Sequence, residues 1–159
     1  MKINITRVSL AIAIAIVCLV DRAEGQCTTA SVAGSYAVDD SGWVIGSTPS
    51  ANQPRDGVSL IVLDGAGNIT GSVTASLNGV TSQVTLKGTY TVNGHCTGSS
   101  TFSEYNSSGV LVVTASINIV FYNNGNAWKF IFTSATLRDG TSLPVTIDGS
   151  AQKITPQQM

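Results

Sequence analysis

The sequence predicts an all-β protein: a single eight-stranded antiparallel β-barrel of meander order, preceded by a signal peptide helix. Three observations carry this. Apolar and polar residues alternate at period two over most of the chain after residue 30, which is the signature of half-buried strands. The connectors between those runs are rich in Asn-Gly and Asp-Gly pairs, the chemistry of tight hairpins. Long amphipathic helices lack material, because the chain has only 2 Glu and 4 Lys.

The elements follow in order. Residues 1–25 read as a signal peptide: Lys2 and Arg7 give a positive start, and Val8 to Val20 is an apolar run. Those 13 residues would span about 20 Å as a helix, short of a hydrocarbon core of about 30 Å. Ala23-Glu24-Gly25 places small residues at −3 and −1 of a cleavage before Gln26. Residues 26–159 are the barrel domain, with no further stretch able to span a membrane as a helix, and the expected location is secreted or periplasmic. Its strands are read as Val32–Ile45, Val58–Leu63, Ile69–Leu77, a run over Val84 to Val92, Thr97–Tyr105, Val110–Tyr122, Trp128–Thr133 and Val145–Ala151. Asp64 to Asn68, Asn78-Gly79, Asn93-Gly94, Asn106 to Gly109, Asn123 to Asn126 and Arg138 to Gly140 are hairpin turns. Short hairpins make neighbouring strands antiparallel, and closure removes the exposed edges. An immunoglobulin-like sandwich is the alternative, but it expects longer crossovers and a Trp set against its disulfide. Gly46 to Gly57, with Pro49 and Pro54, is the longest irregular connection and is expected to be a solvated loop.

Charge excludes one function class. Lys+Arg is 8 against Asp+Glu 9, and charged residues are 11% of the chain. Without its first 25 residues the chain has five basic and seven acidic side chains. No basic face is available to neutralise phosphates, so nucleic acid is not an expected partner. At 43% hydrophobic residues the chain can bury a core.

Cys27 and Cys96 remain after cleavage, an even pair suited to an oxidising compartment. A bridge between them would stabilise the fold by about 4 kcal/mol on the chain-entropy account. A catalytic thiol assisted by His95 is the competing idea. Adjacent side chains on a strand point to opposite faces, which argues against that pair. His95 is the single histidine, so no multi-histidine metal site exists, and Asp64 to Asn68 lacks the ligands of a calcium loop. No metal or cofactor is expected. Glu104, at the end of a polar strand, is read as solvated, and Asn68-Ile69-Thr70 and Asn106-Ser107-Ser108 match the glycosylation pattern.

Aromatic residues are the strongest apolar feature. An eight-stranded barrel either fills with such side chains or keeps a small apolar cavity. Trp128, Phe130 and Phe132 share one face, and Lys129, which prefers water, holds the other, so the aromatic triplet is expected inside and Ile131 outside. The candidate ligand-binding residues are Tyr36, Trp43, Tyr90, Trp128, Phe130 and Phe132, for a small apolar molecule.

Gly34-Ser35-Tyr36, the run Leu63-Asp64-Gly65-Ala66-Gly67-Asn68-Ile69-Thr70-Gly71, then Lys87-Gly88-Thr89-Tyr90-Thr91-Val92 and Cys96-Thr97-Gly98 resemble a family of small exported bacterial proteins with an allene-oxide-cyclase-like barrel domain. The resemblance spans about residues 30–150. It implies an eight-stranded antiparallel barrel, whose relatives include cofactor-free cyclases and dirigent-type proteins that guide reactive apolar molecules. It carries no catalytic constellation onto numbered positions. The biotin motif of avidin-type barrels is absent, since Tyr36 and Val38 stand where its Trp and Asn would be. Three functions follow as expectations: an exported barrel that binds a small apolar ligand, a cofactor-free cyclase or isomerase, and a structural or adhesive envelope protein. A lined cavity favours the first two and a filled barrel the third. A buried carboxylate or Tyr of shifted pKa favours the enzyme.

Overall fold

The computed structural model describes residues 27–155; the segment read as a signal peptide lies outside them. Eight strands run in sequence: β1 (Gly34–Val44), β2 (Gln53–Leu63), β3 (Asn68–Leu77), β4 (Val80–Val92), β5 (Thr97–Tyr105), β6 (Leu111–Tyr122), β7 (Ala127–Leu137) and β8 (Val145–Lys153). Each is antiparallel to the next, and β8 returns to pair with β1 from Tyr36↔Lys153 to Val44↔Val145. The sheet is a closed meander barrel. Among the described residues no helix is long and apolar enough to cross a membrane.

Alternation builds the wall. Along β1, Tyr36, Val38 and Asp40 are buried while Ala37, Asp39 and Ser41 are exposed. Along β7, Trp128 and Phe130 face inward while Lys129 and Ile131 face out, Ile131 being 51% exposed. Ile61, Leu63, Ile69, Leu86, Ile117, Ile119 and Phe121 are among the other residues of the interior. Hairpin chemistry closes the ladders: at Asn78-Gly79 both residues have positive φ (49° and 82°), as a two-residue turn with the right twist needs.

Two expectations are corrected. Val32 is not strand. It ends a short helix, α1 (Thr29–Val32), whose N-cap Thr28 forms a capping box with Ser31. Nor is Gly46 to Gly57 loop throughout, because β2 starts at Gln53 and only the stretch around a single 3-10 turn, Pro49–Ala51, is irregular. Pro54 is tolerated there because it sits at the strand's beginning.

The barrel has two unlike ends. The residue-64–67, 93–96 and 123–126 turns share one end with the start of β1, and α1 packs across that end. Cys96 is bonded to Cys27, with Cα atoms 4.9 Å apart, and so ties the segment before α1 to the β4–β5 turn. The other end is ringed by the connections β1–β2, β3–β4, β5–β6 and β7–β8. There β7 and β8 pair only as far as Ile131↔Asp148, and the backbone of Leu143 donates to Ala135 instead, at 2.8 Å.

Candidate functional site

The closed end uses up two of the candidate residues. Tyr36, 0% exposed, sets its hydroxyl 2.6 Å from both the Val32 and the Gly125 carbonyl oxygens, so it joins α1 to the β6–β7 turn. Burial, and then the nearby Tyr90, push its pKa up to about 12. The Tyr90 hydroxyl lies 3.0 Å from the Thr29 carbonyl oxygen and also donates to that of Asp64; burial raises its pKa too. Both phenols tether the α1 plug rather than face a cavity. Trp43 does not face the interior at all. Its position in β1 is of outward parity, like Asp39 and Ser41, and it is 48% exposed. His95 is exposed in its turn.

Trp128, Phe130 and Phe132 stand together. Trp128 meets Tyr36 edge to face at 5.9 Å and Phe130 at 5.3 Å, and Phe132 lies 6.1 Å beyond Phe130. A cavity of about 30 Å³ lies against these rings. That is room for about two waters, far from the ~300 Å³ or more of a pocket that swallows a drug-sized molecule. Its walls are Ile61, Ile69, Val73, Leu86, Phe102 and Ile117. Trp128 is buried at 2% exposure, and its Nε1 has no hydrogen-bond partner among the described residues.

Three charged side chains enter the same cavity: Asp40 from β1, Arg55 from β2 and Glu104 from β5. Strand parity puts them there. Asp40 follows Tyr36 and Val38 on the inner face of β1, Arg55 shares its face with Gly57, Ile61 and Leu63, and Glu104 with Phe102. Arg55 Nη1 donates to Asp40 Oδ1, and the pair is nearly buried, at 12% and 6% side-chain exposure. A Cβ on Gly57, opposite Asp40 in the ladder, would stand 2.5 Å from Asp40 Oδ2, so glycine there makes the room that the carboxylate occupies. The guanidinium also lies 5.8 Å from the Phe132 ring centroid. Burial lowers the Arg55 pKa, against the pull of Glu104 and Asp56. Burial likewise raises the Glu104 carboxyl, with Arg55 opposing. Glu104 has no side-chain hydrogen bond and no ion-pair partner among the described residues. The expectation that Glu104 is a solvated strand end is corrected: a β-bulge at Glu104/Tyr105 marks the strand's end, but the carboxylate turns inward. Asp40 and Arg55 are additions to the sequence-level candidates. The signal that could have found them is their parity with Tyr36 and Leu63.

No family model matches the chain, and no curated protein does. Among solved structures, EF1p2_mFAP2b bound to DFHBI is similar at 11% identity, over 80% of this chain and 100% of that one, with a TM-score of 0.52. A de novo designed fluorescence-activating β-barrel is similar at 11% identity, over 80% of this chain and 99% of that one, with a TM-score of 0.49. At such identity the likeness to EF1p2_mFAP2b shows the fold alone, a small barrel.

Proposed function

We propose that this protein is an exported barrel that binds a small amphiphilic molecule at its open mouth, with a polar head group in the cavity and an apolar body on the rim. The trio Asp40, Arg55 and Glu104, turned into an otherwise apolar interior, carries the reading. Buried ion pairs contribute little to stability compared with hydrophobic packing, so charges kept at a mouth point to recognition. A few convergent polar groups in an apolar surround are what a small-molecule site has. The rim offers exposed Ile45, Leu77, Val80 and Val110 for the ligand's body. Trp43 belongs to the same rim on its outer side. The small cavity narrows the ligand of the sequence reading, since only a head group of a few atoms fits inside.

Export rests on the pattern of residues 1–25 and agrees with the Cys27–Cys96 bridge, which belongs in an oxidising compartment. Kinship with exported allene-oxide-cyclase-like domains is likewise part of the proposal, and the closed eight-stranded barrel agrees with it. EF1p2_mFAP2b is bound to DFHBI, so a barrel of this fold can hold a small molecule.

A second reading, a cofactor-free isomerase or cyclase, is favoured by one observation. Glu104, its pKa raised by burial, faces the same cavity as a guanidinium. In this reading the Glu104 carboxyl moves a proton beside a guanidinium that stays paired with Asp40. Turnover of 3-cyclohexenone to its conjugated isomer, lost in Glu104→Gln, would select this reading over binding alone.

Titration with n-butanol followed by protein NMR tests the binding proposal. Saturable shifts should gather at Val73, Leu86, Phe102, Ile117 and Phe132 and at the rim. Shifts that never saturate, or that gather at the α1 end, would refute it.

A further inference from the structure

The mouth is not electrically balanced. Asp40 and Arg55 neutralise each other, and Gly57 makes the room that fixes their geometry. Glu104 is left over, a carboxylate inside the same cavity with no partner of its own among the described residues. Leu86 and Val113 stand opposite it on the flanking strands β4 and β6, and Phe102 precedes it on its own inward face. A half-buried carboxylate without a partner costs free energy that a cation placed beside it removes. A carboxylate ligand has no such opening. Its natural seat, the guanidinium, is already taken by Asp40, and Glu104 would repel it.

We propose that the head group recognised at the mouth is a small organic cation, an alkylammonium that docks on Glu104 with its alkyl chain on the apolar rim. The inference rests on the binding reading above and names its ligand class. An ammonium group is close to a water molecule in size, which suits a cavity of about 30 Å³. Phe102 and Phe132, edge to face at 6.0 Å, supply aromatic surface beside it. The Arg55 charge opposes the docking, and the pairing of Arg55 with Asp40 largely cancels it.

The test compares n-butylammonium, n-butanol and butyrate on the protein of residues 26–159 by NMR titration at neutral pH. Butylammonium should bind at least tenfold more tightly than n-butanol, and butyrate more weakly than both. In Glu104→Gln the three affinities should fall to within about threefold of one another. A second measurement keeps the proposal falsifiable should that variant not fold. The preference of the wild-type protein for butylammonium should vanish as pH falls through the Glu104 titration, followed at its own carboxyl carbon. The charged groups facing Glu104 in the cavity are Asp40 from β1 and Arg55 from β2, while β4, β6 and β7 present Leu86, Ile117, Phe130 and Phe132. If n-butanol binds at the mouth but butylammonium gains nothing over it, the cation proposal is wrong and the binding reading stands. If none of the three binds there, both are wrong. Tighter binding of butyrate than of butylammonium would overturn the cation proposal outright.

Discussion

Arg55 and Asp40 meet diagonally across the β1–β2 ladder: Asp40 lies opposite Gly57, and Arg55 stands two residues before that glycine on the same inner face. The pair is therefore locked by register as well as by charge. Sliding β2 by one residue would turn Arg55 outward and leave Asp40 alone inside.

That geometry sets the cost of breaking the pair. Arg55→Met should destabilise the fold by about 3–5 kcal/mol, because it strands Asp40 and removes the guanidinium that shares the cavity with Glu104. Asp40→Asn added to Arg55→Met should recover part of that loss. Denaturant unfolding of Arg55→Met, Asp40→Asn and the double variant decides the point. A double variant as unstable as the sum of the two single changes would show that the groups do not act as a pair.

Glu104 predicts an opposite sign. Burial raises its pKa in the folded state, so its favourable contribution is full below the unfolded carboxyl value and is lost as pH rises through the raised one. Glu104→Gln removes the charge and should have a higher Tm than wild type at pH 7. The gap should close toward pH 4. Thermal unfolding across pH 4–8 checks this, and a variant less stable at pH 7 would mean that the attraction of Arg55 outweighs desolvation.

Loss of the Cys27–Cys96 bridge should cost about 4 kcal/mol on the chain-entropy account for a separation of 69 residues. The variant Cys27→Ala/Cys96→Ala, compared with wild type by urea unfolding, measures it. Alkylation of the native protein without reductant should find neither thiol free.

Phe130→Ala should cost about 3–5 kcal/mol, since the ring is 8% exposed and packs on Trp128 and Phe132. Lys129→Ala, on the outer face, should stay within about 0.5 kcal/mol. Equal costs would contradict the inward and outward assignment of β7.

The barrel was legible because its determinants are local. Alternation around Tyr36 and Val38, or around Trp128 and Phe130, fixes which face is inside, and Asn-Gly turns fix where strands reverse. The cysteine pair was legible by count. The candidate site was less so. Asp40, Arg55 and Glu104 each look like solvent-facing residues, and only parity with Val38, Ile61 and Phe102 shows them inside; polarity and position within the strand argued the other way. Tyr36 and Tyr90 have the right parity for a ligand site, yet both are occupied by α1. A helix of four residues leaves almost no periodic signal, and it exists because those phenols and the bridge hold it in place.

The ladder between β1 and β8 has a consequence for how the chain reaches its final shape. Seven of the eight ladders join neighbours in sequence and can form early, each from a single hairpin. The eighth links Tyr36 to Lys153 and must wait for nearly the whole domain to be available. Loop-closure entropy makes such distant pairing slow. Until it forms, β1 and β8 are bare edges open to strands of other molecules. The interval before the seam closes is thus when this protein is most exposed to aggregation. Substitutions along that seam, such as at Ala37 or Gln152, should register first in refolding yield, even where the finished barrel tolerates them.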